Sequence, residues 1–219
     1  MVLNVLPSNG NVNGKDLKYF IKKYWQAVCP IPKKDNPIWD NDGSKDESFN
    51  AKIKEDLFML SPSMRPQTPL TRNIKVPNGK GLFIPVVPVE VSKCETNLPL
   101  VATARKDQNS IVRGSLVIEI KHGNNVTPAF NLDDYNFAPF DIGSVNFPSP
   151  TTEAVFSIIN PLKGNDSCEA VAAGRYVWTE PLRAGETYTI RYGGNIRCTP
   201  SSDCVETTYD ESITYKITG

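Results

Sequence analysis

The chain contains a single histidine, His122, and no C-x-x-C pair. A Ser-His-Asp or Cys-His hydrolase needs a histidine as its general base, and zinc sites draw on closely spaced histidines and cysteines. His122 lies in KHGNN, a predicted turn in which a histidine is typically a surface residue. No G-x-S-x-G elbow occurs, and GKG at residues 79–81 lacks the spacing of a phosphate-binding loop. The sequence therefore speaks against triad hydrolases, zinc proteins and P-loop proteins.

Neither an excess of one charge nor a long apolar run is present. Acidic and basic residues are equal in number, 24 of each, and neither forms a long block. A nucleic-acid partner is therefore not expected, because such proteins need a basic surface to displace counterions from phosphates. No apolar run approaches the roughly 20 residues that cross a bilayer, so no transmembrane segment is predicted. The first 14 residues lack the basic and apolar regions of a signal peptide.

Cysteines are few, and their odd number leaves at least one unpaired within the chain: Cys29, Cys94, Cys168, Cys198 and Cys204. Cys198 and Cys204 flank the turn-forming stretch TPSSD, where a hairpin-closing disulfide would form in an oxidising compartment. The alternative is a pair of reduced loop thiols. Two sequons, beginning at Asn125 and Asn165, would accept glycans on a eukaryotic secretory route.

The clearest periodic segment is KDLKYFIKKYWQAV, residues 15–28. Its apolar residues recur at helical spacing and predict an amphipathic helix: Leu17, Phe20, Ile21, Tyr24, Trp25 and Val28. Asn13 or Gly14 is the expected cap, and the prolines of CPIP end the helix. A second helix is expected from Ser48 to about Leu60.

From residue 73 onward the pattern changes to short strands separated by turns. The strand candidates are GLFIPVVPVEV, SLVIEIK, AVFSIIN, RYVWT, TYTIRY and SITYKI. This spacing predicts a mainly β protein, an antiparallel β-sandwich of jelly-roll type with an accessory N-terminal helical segment. We expect residues 1–72 to pack on a sandwich of residues 73–219 as one structural domain. RYVWT and TYTIRY are expected to pair as a hairpin across PLRAGE.

Acidic residues offer two chemical hypotheses. Asp40, Asp42 and Asp46 lie in a polar loop and would suit calcium, although the EF-hand pattern fails and an ordinary solvated loop is the alternative. Paired carboxylates could hydrolyse glycosides without a histidine, provided the fold brings two of them together. The candidate pairs are Glu90 with Glu95, Asp133 with Asp134, and Glu180 with Glu186.

Aromatic side chains are frequent on the predicted strands. Those that face solvent can stack on sugar rings or form a protein interface, whereas those on the other face fill the core. We expect Trp178, Tyr188 and Arg191 to contribute to a ligand-binding surface. The competing interpretation assigns most of the aromatic residues to the core.

Three motifs resemble an uncharacterised family of predicted secreted bacterial and archaeal β-sandwich proteins. The C-terminal motif comprises Gly174, Tyr176, Trp178, Pro181, Leu182, Gly185, Ile190, Tyr192, Gly193 and Gly194. The middle motif comprises Arg72, Val76, Pro77, Gly79, Lys80, Phe83 and Pro85, followed by Cys94 and Glu95. An upstream loop, NPIWDNDG, contributes Asn36, Pro37, Asp40 and Gly43. The chain departs from the family in two ways. It lacks a cysteine after the upstream loop and a cysteine before Val76 and Pro77 of the middle motif. It also has Tyr188 and Arg191 where the family has histidines. That family has no assigned activity, so the resemblance implies a fold and a secreted location.

The favoured interpretation is a non-catalytic binding or structural module at the cell surface or outside the cell. Carbohydrate or a surface protein is the expected partner, and homo-oligomers are expected because sheet edges pair readily. The first alternative is a carboxylate-based hydrolase with calcium at Asp40, Asp42 and Asp46. The second is a jelly-roll subunit of a viral or extracellular assembly. Apart from possible calcium, no cofactor is expected.

Overall fold

The computed structural model describes residues 2–63, 70–148, 167–197, 208–210 and 212–219. Its helices are α1 (Leu17–Val28), α2 (Ser44–Ile53) and α3 (Leu100–Ser110). Its strands are β1 (Leu57–Met59), β2 (Leu70–Lys75), β3 (Gly81–Ser92), β4 (Val117–His122), β5 (Asn125–Val126), β6 (Asn136–Val145), β7 (Cys168–Trp178), β8 (Thr187–Gly193), β9 (Asn195–Arg197), β10 (Thr208–Asp210) and β11 (Ile213–Thr218). The strand candidate AVFSIIN, at 154–160, lies outside the described residues.

Two larger sheets form a sandwich-like, mainly β fold, as the strand pattern predicted. The four-stranded sheet has the order β1-β3-β7-β6, and the five-stranded sheet has the order β2-β11-β8-β4-β5. The expectation of purely antiparallel sheets is wrong, because β1 pairs with β3 in parallel and β2 pairs with β11 in parallel. β1 and β3 run in the same direction because the intervening strand, β2, belongs to the other sheet. The sheets also include residues before 73, since β1 and the first half of β2 precede it.

Helix α1 confirms the predicted amphipathic stripe. All six apolar residues of the stripe are buried in the main core cluster. The cap differs from the expected one: Asp16 has extended backbone, and its carboxylate accepts a hydrogen bond from the Tyr19 amide at 2.8 Å. Asn13 and Gly14 precede the cap in a turn with positive φ values of 52° and 76°. A carboxylate at this position also complements the positive end of the helix dipole.

The other helices depart from the sequence predictions. Helix α2 begins at Ser44 rather than Ser48, and it ends before Lys54, whose φ of 51° is left-handed and incompatible with helix continuation. The predicted helical residues 57–59 instead form β1 against β3. Helix α3 was not predicted, because its pattern is weakly amphipathic and only Ala104 is fully buried. None of the helices in the described residues is long and apolar enough to span a membrane.

The predicted hairpin of RYVWT and TYTIRY does not form. RYVWT is the end of β7, which pairs with β3 and β6 in the four-stranded sheet. TYTIRY lies in β8, which pairs with β11 and β4 in the five-stranded sheet. Each strand already has a neighbour on both sides, so PLRAGE links two sheets instead of closing a turn. Within the four-stranded sheet, the proline-containing strand β3 has a register shift against β7 between Pro85 and Val87.

Candidate functional site

A buried polar cluster forms around Arg72, on the inner face of β2. The side chain of Arg72 has no exposed surface. Its Nη1 donates to Asp46 Oδ2 at 3.0 Å and to the Tyr215 hydroxyl at 2.6 Å. The same guanidinium donates to the backbone carbonyls of Ser61 at 3.0 Å and Asp40 at 2.9 Å. One arginine therefore joins β2, β11, α2 and the loop that precedes α2.

The acidic partner of Arg72 is also completely enclosed. Asp46 Oδ2 accepts a second hydrogen bond from the Tyr215 hydroxyl at 2.9 Å. Burial raises the pKa of Asp46 to about 6, although the nearby Arg72 guanidinium opposes that rise. The Tyr192 hydroxyl donates to the Ser61 carbonyl at 2.9 Å, and its ring stacks on Tyr215 with centroids 5.9 Å apart. Because no member of this ion pair reaches solvent, the cluster is suited to holding elements together and not to binding a substrate.

The acidic loop residues do not converge on a common point that would suit calcium. Both oxygens of Asp40 accept backbone amides at the start of α2, including Gly43 at 3.0 Å and Lys45 at 2.9 Å. Asp42 accepts the Ser44 amide at 2.9 Å, and these hydrogen bonds lower its pKa. Asp46 instead faces Arg72. Among the residues that the structure describes, no group of three or more His, Cys, Asp or Glu side chains is arranged to hold a metal ion.

The resemblance motifs meet at this cluster. Asn36 is fully buried and bridges the loop to α1, since its Nδ2 donates to the Val28 carbonyl at 2.8 Å. Gly43 has a φ of 104°, and a Cβ atom there would lie 2.5 Å from Ile74 Cγ2. Together with Arg72 and Tyr192, these residues fix the loop against the five-stranded sheet. Their placement indicates a structural role.

Of the three candidate carboxylate pairs, Glu90 and Glu95 lie near enough for each to influence the pKa of the other. Glu90 lies near the end of β3, and both of its carboxyl oxygens are buried. Burial raises the pKa of Glu90 well above its ordinary value, and the neighbouring Glu95 carboxyl adds to this rise. Glu95 Oε2 accepts the Ser92 hydroxyl at 2.6 Å and the Ser92 amide at 3.0 Å. Burial raises the pKa of Glu95 as well.

The other two pairs are separated by their own partners. Asp133 forms an ion pair with Arg175 at 2.7 Å. Glu180 accepts from the Asn4 side chain at 3.0 Å, whereas Glu186 lies 2.5 Å from His122. Asp133, Glu180 and Glu186 therefore each interact with a cationic or polar neighbour and not with the other carboxylate of the pair. These contacts give no arrangement of two converging carboxylates.

A disulfide that the sequence analysis missed lies next to the Glu90–Glu95 pair. Cys94 and Cys168 are bonded across 74 residues of chain, and they link the end of β3 to the start of β7. Cys29 is a buried free thiol, and burial raises its pKa well above the ordinary value. The predicted pair Cys198 and Cys204 lies outside the described residues. No spacing rule would have matched cysteines so far apart, because distant pairing depends on the fold.

The predicted ligand-binding residues do not share one surface. Trp178 is fully buried, and its indole Nε1 donates to the Pro7 carbonyl at 2.9 Å. Tyr188 is 2% exposed and stacks on His122 with ring centroids 4.9 Å apart. Their assignment as surface ligand contacts is therefore wrong, because both rings complete the core. Arg191 alone among the three is exposed, on the outer face of β8.

Arg191 belongs to an open polar face on the five-stranded sheet, which we call the outer face. Burial alternates along β8, β11 and β2, so that every second side chain points to solvent. Strand register arranges the outward residues of β4, β8, β11 and β2 in three cross-strand rows. The first row is Glu119, Arg191, Thr214 and Thr71; the second is Lys121, Thr189, Lys216 and Asn73; the third is Thr187, Thr218 and Lys75.

The outer face is mostly polar and positively charged, although Val126 of β5, which is 50% exposed, lies beside Lys121 on it. It presents four cations and one carboxylate, which leaves a formal charge of +3 on a chain whose total charge is zero. The carboxylate, Glu119, lies 2.8 Å from Lys121 in an ion pair. Threonine and asparagine side chains fill the spaces between the cations. The face therefore combines hydrogen-bonding side chains with cationic ones.

Comparisons of the chain with protein-family models, with curated proteins and with solved structures find no match.

Proposed function

We propose that this protein is a non-catalytic binding module that acts at the cell surface or outside the cell, and that its ligand is a polysaccharide. The observation that carries the proposal is the outer face of the five-stranded sheet. This face is a broad, open, mostly polar surface built from regular strands, whereas both carboxyl oxygens of Glu90 are buried in the interior. A rigid sheet presents hydrogen-bonding side chains at fixed spacing, and this limits the entropy lost on binding.

The extracellular location is supported by the Cys94–Cys168 disulfide. Disulfides persist in oxidising compartments and are rare in reducing ones. The bond closes a loop of 74 residues and holds β3 beside β7, in the sheet opposite the outer face. Such a cross-link stabilises the folded state of a protein outside the cell against unfolding.

The test is retention on polysaccharides without turnover. We expect the protein to be retarded in native gels that contain at least one soluble polysaccharide, and to release no new reducing ends on prolonged incubation. Failure of every polysaccharide to retard the protein contradicts the proposal. Release of reducing ends would support the alternative below.

A carboxylate hydrolase is the second candidate, because Glu90 and Glu95 influence each other electrostatically and burial raises the pKa values of both. The burial of both Glu90 oxygens speaks against it, since a general acid must reach the glycosidic oxygen. Any turnover should then disappear in Glu90→Gln.

The jelly-roll assembly subunit remains a prediction that light scattering tests, because a monomer at high concentration contradicts it.

A further inference from the structure

We infer that the polysaccharide bound by the outer face is anionic, bearing uronate or sulfate groups. This inference rests on the proposed function and adds the chemical class of the ligand. The chain as a whole is electrically neutral, so a formal charge of +3 on one sheet face is a local concentration of cations. Such a concentration attracts anions and accelerates their association.

Strand register gives the cations a repeating order. Arg191 and Lys216 lie on the adjacent strands β8 and β11 in successive rows, which makes them diagonal neighbours. Lys216 and Lys75 stand in the same diagonal relationship across β11 and β2. Diagonal cross-strand neighbours are about 7–8 Å apart at Cα, within reach of long side chains. The three cations therefore form a line across the sheet that suits a chain with regularly spaced anionic groups.

The cations of this line are available for a ligand. Arg191, Lys216 and Lys75 are exposed, and the described residues provide no ion pair to any of them. Glu119, the carboxylate of the face, is directly opposite Arg191 in the first row, and its ion pair is with Lys121 at 2.8 Å. Arg191 can bind a carboxylate or sulfate through two parallel hydrogen bonds, whereas each lysine acts as a point charge.

Threonine hydroxyls add hydrogen-bonding groups beside the cations of this line. Thr189 lies between Lys121 and Lys216 in its row, and Thr214 is directly opposite Arg191. Hydroxyls that flank a cation can donate to the same anionic group or accept from sugar hydroxyls. A surface that alternates cations and hydroxyls fits an acidic polysaccharide better than a neutral one, which leaves the charges unpaired.

The experiment is affinity electrophoresis against polygalacturonate, alginate and dextran sulfate, with methyl-esterified polygalacturonate as the neutral counterpart. We expect retardation by at least one anionic polymer, weaker retardation by the neutral counterpart, and loss of binding as salt rises from 50 to about 500 mM, since salt screens exposed charges. The double variant Arg191→Ala/Lys216→Ala should weaken binding about 10-fold or more. The matched control Arg105→Ala/Lys106→Ala removes the same charges from exposed sites on α3 and should bind as the parent does.

Each outcome decides a different point. Equal, salt-insensitive binding of the ester and the polyanion overturns the inference and leaves the proposed function standing. No retardation by any polysaccharide, charged or neutral, overturns both. Double-stranded DNA and phosphatidylserine vesicles are run in parallel. Binding to either one at least as tight as to the polysaccharides overturns the inference. Equal losses in the two double variants also overturn it, because net charge alone would then explain the effect.

Discussion

Arg72 and Asp46 form an ion pair 3.0 Å long from which solvent is completely excluded. Arg72 lies on β2 and Asp46 on α2, so the pair fixes the helix to an edge strand of the five-stranded sheet. Tyr215 contacts both partners and brings in the neighbouring strand β11. The outer face is also built on β2 and β11, so the buried pair helps to hold the strands that carry this face.

Removing one member of the pair should be far more costly than replacing both. We expect Arg72→Met or Asp46→Leu alone to lower the free energy of unfolding by about 3–5 kcal/mol, because each change leaves a buried polar group without its partner. The double variant Arg72→Met/Asp46→Leu should be less destabilised than the two single losses added together. Urea unfolding of all four proteins measures this coupling. Additive losses would show that the pair is not a unit.

Stability should decline as pH rises from about 4 toward neutrality. The folded-state pKa values of Glu90 and Asp46 are raised, so the folded protein binds these protons more tightly than the unfolded chain does. Their stabilisation is complete below the unfolded pKa and is lost as pH passes the folded pKa. For Asp46, raised from 3.8 to about 6, the loss is about 3 kcal/mol. Carboxylates with lowered pKa values, such as the partly buried Asp56 and the exposed Asp133, act in the opposite sense at lower pH.

The contribution of Glu90 can be isolated by substitution. We expect Glu90→Gln to flatten the decline in unfolding free energy between pH 4.5 and pH 7.5, because glutamine cannot ionise. Glu169→Gln is the control, since Glu169 is exposed on β7. Denaturant unfolding at both pH values measures the slope. An unchanged slope in Glu90→Gln would show that its carboxyl ionises normally in the folded protein.

Reduction of the disulfide should destabilise the protein substantially. Opening a loop of 74 residues restores conformational freedom to the unfolded chain, worth about 4 kcal/mol in the chain-entropy model. Cys94→Ser/Cys168→Ser should therefore melt well below the parent, and a reducing agent should reproduce this shift. Cys29→Ser provides the control for the reductant. A melting temperature that is insensitive to reductant in the parent contradicts the bond.

Gly43 should not tolerate a side chain. Its φ of 104° and the predicted clash of a Cβ atom with Ile74 both oppose alanine, and we expect Gly43→Ala to cost about 1–3 kcal/mol. Gly114→Ala is the matched control, because no atom lies within 4 Å of a Cβ there and its φ is not positive. Thermal unfolding compares the two. Equal stability of both variants would contradict the close approach of the loop to β2.

Sequence periodicity predicted which residues of α1 face the core, because helical spacing places the buried side chains on one side of the helix. It did not predict strand neighbours: RYVWT and TYTIRY are adjacent in sequence, yet they belong to different sheets. Helix α3 was missed because only one of its residues is fully buried. Glu90 and Glu95 were recognised as a candidate pair from their proximity in sequence. Their burial, and that of Trp178 and Tyr188, depends on long-range packing that local pattern does not encode.

The most direct test of the outer face as the binding surface is an NMR titration with a short galacturonate oligosaccharide. Backbone amide shifts are followed along the whole chain at low salt. The account predicts that the perturbed amides cluster on β8 and β11, around Thr189, Arg191, Thr214 and Lys216. Perturbations centred on α3 or around Glu90, with these strands unchanged, would contradict it.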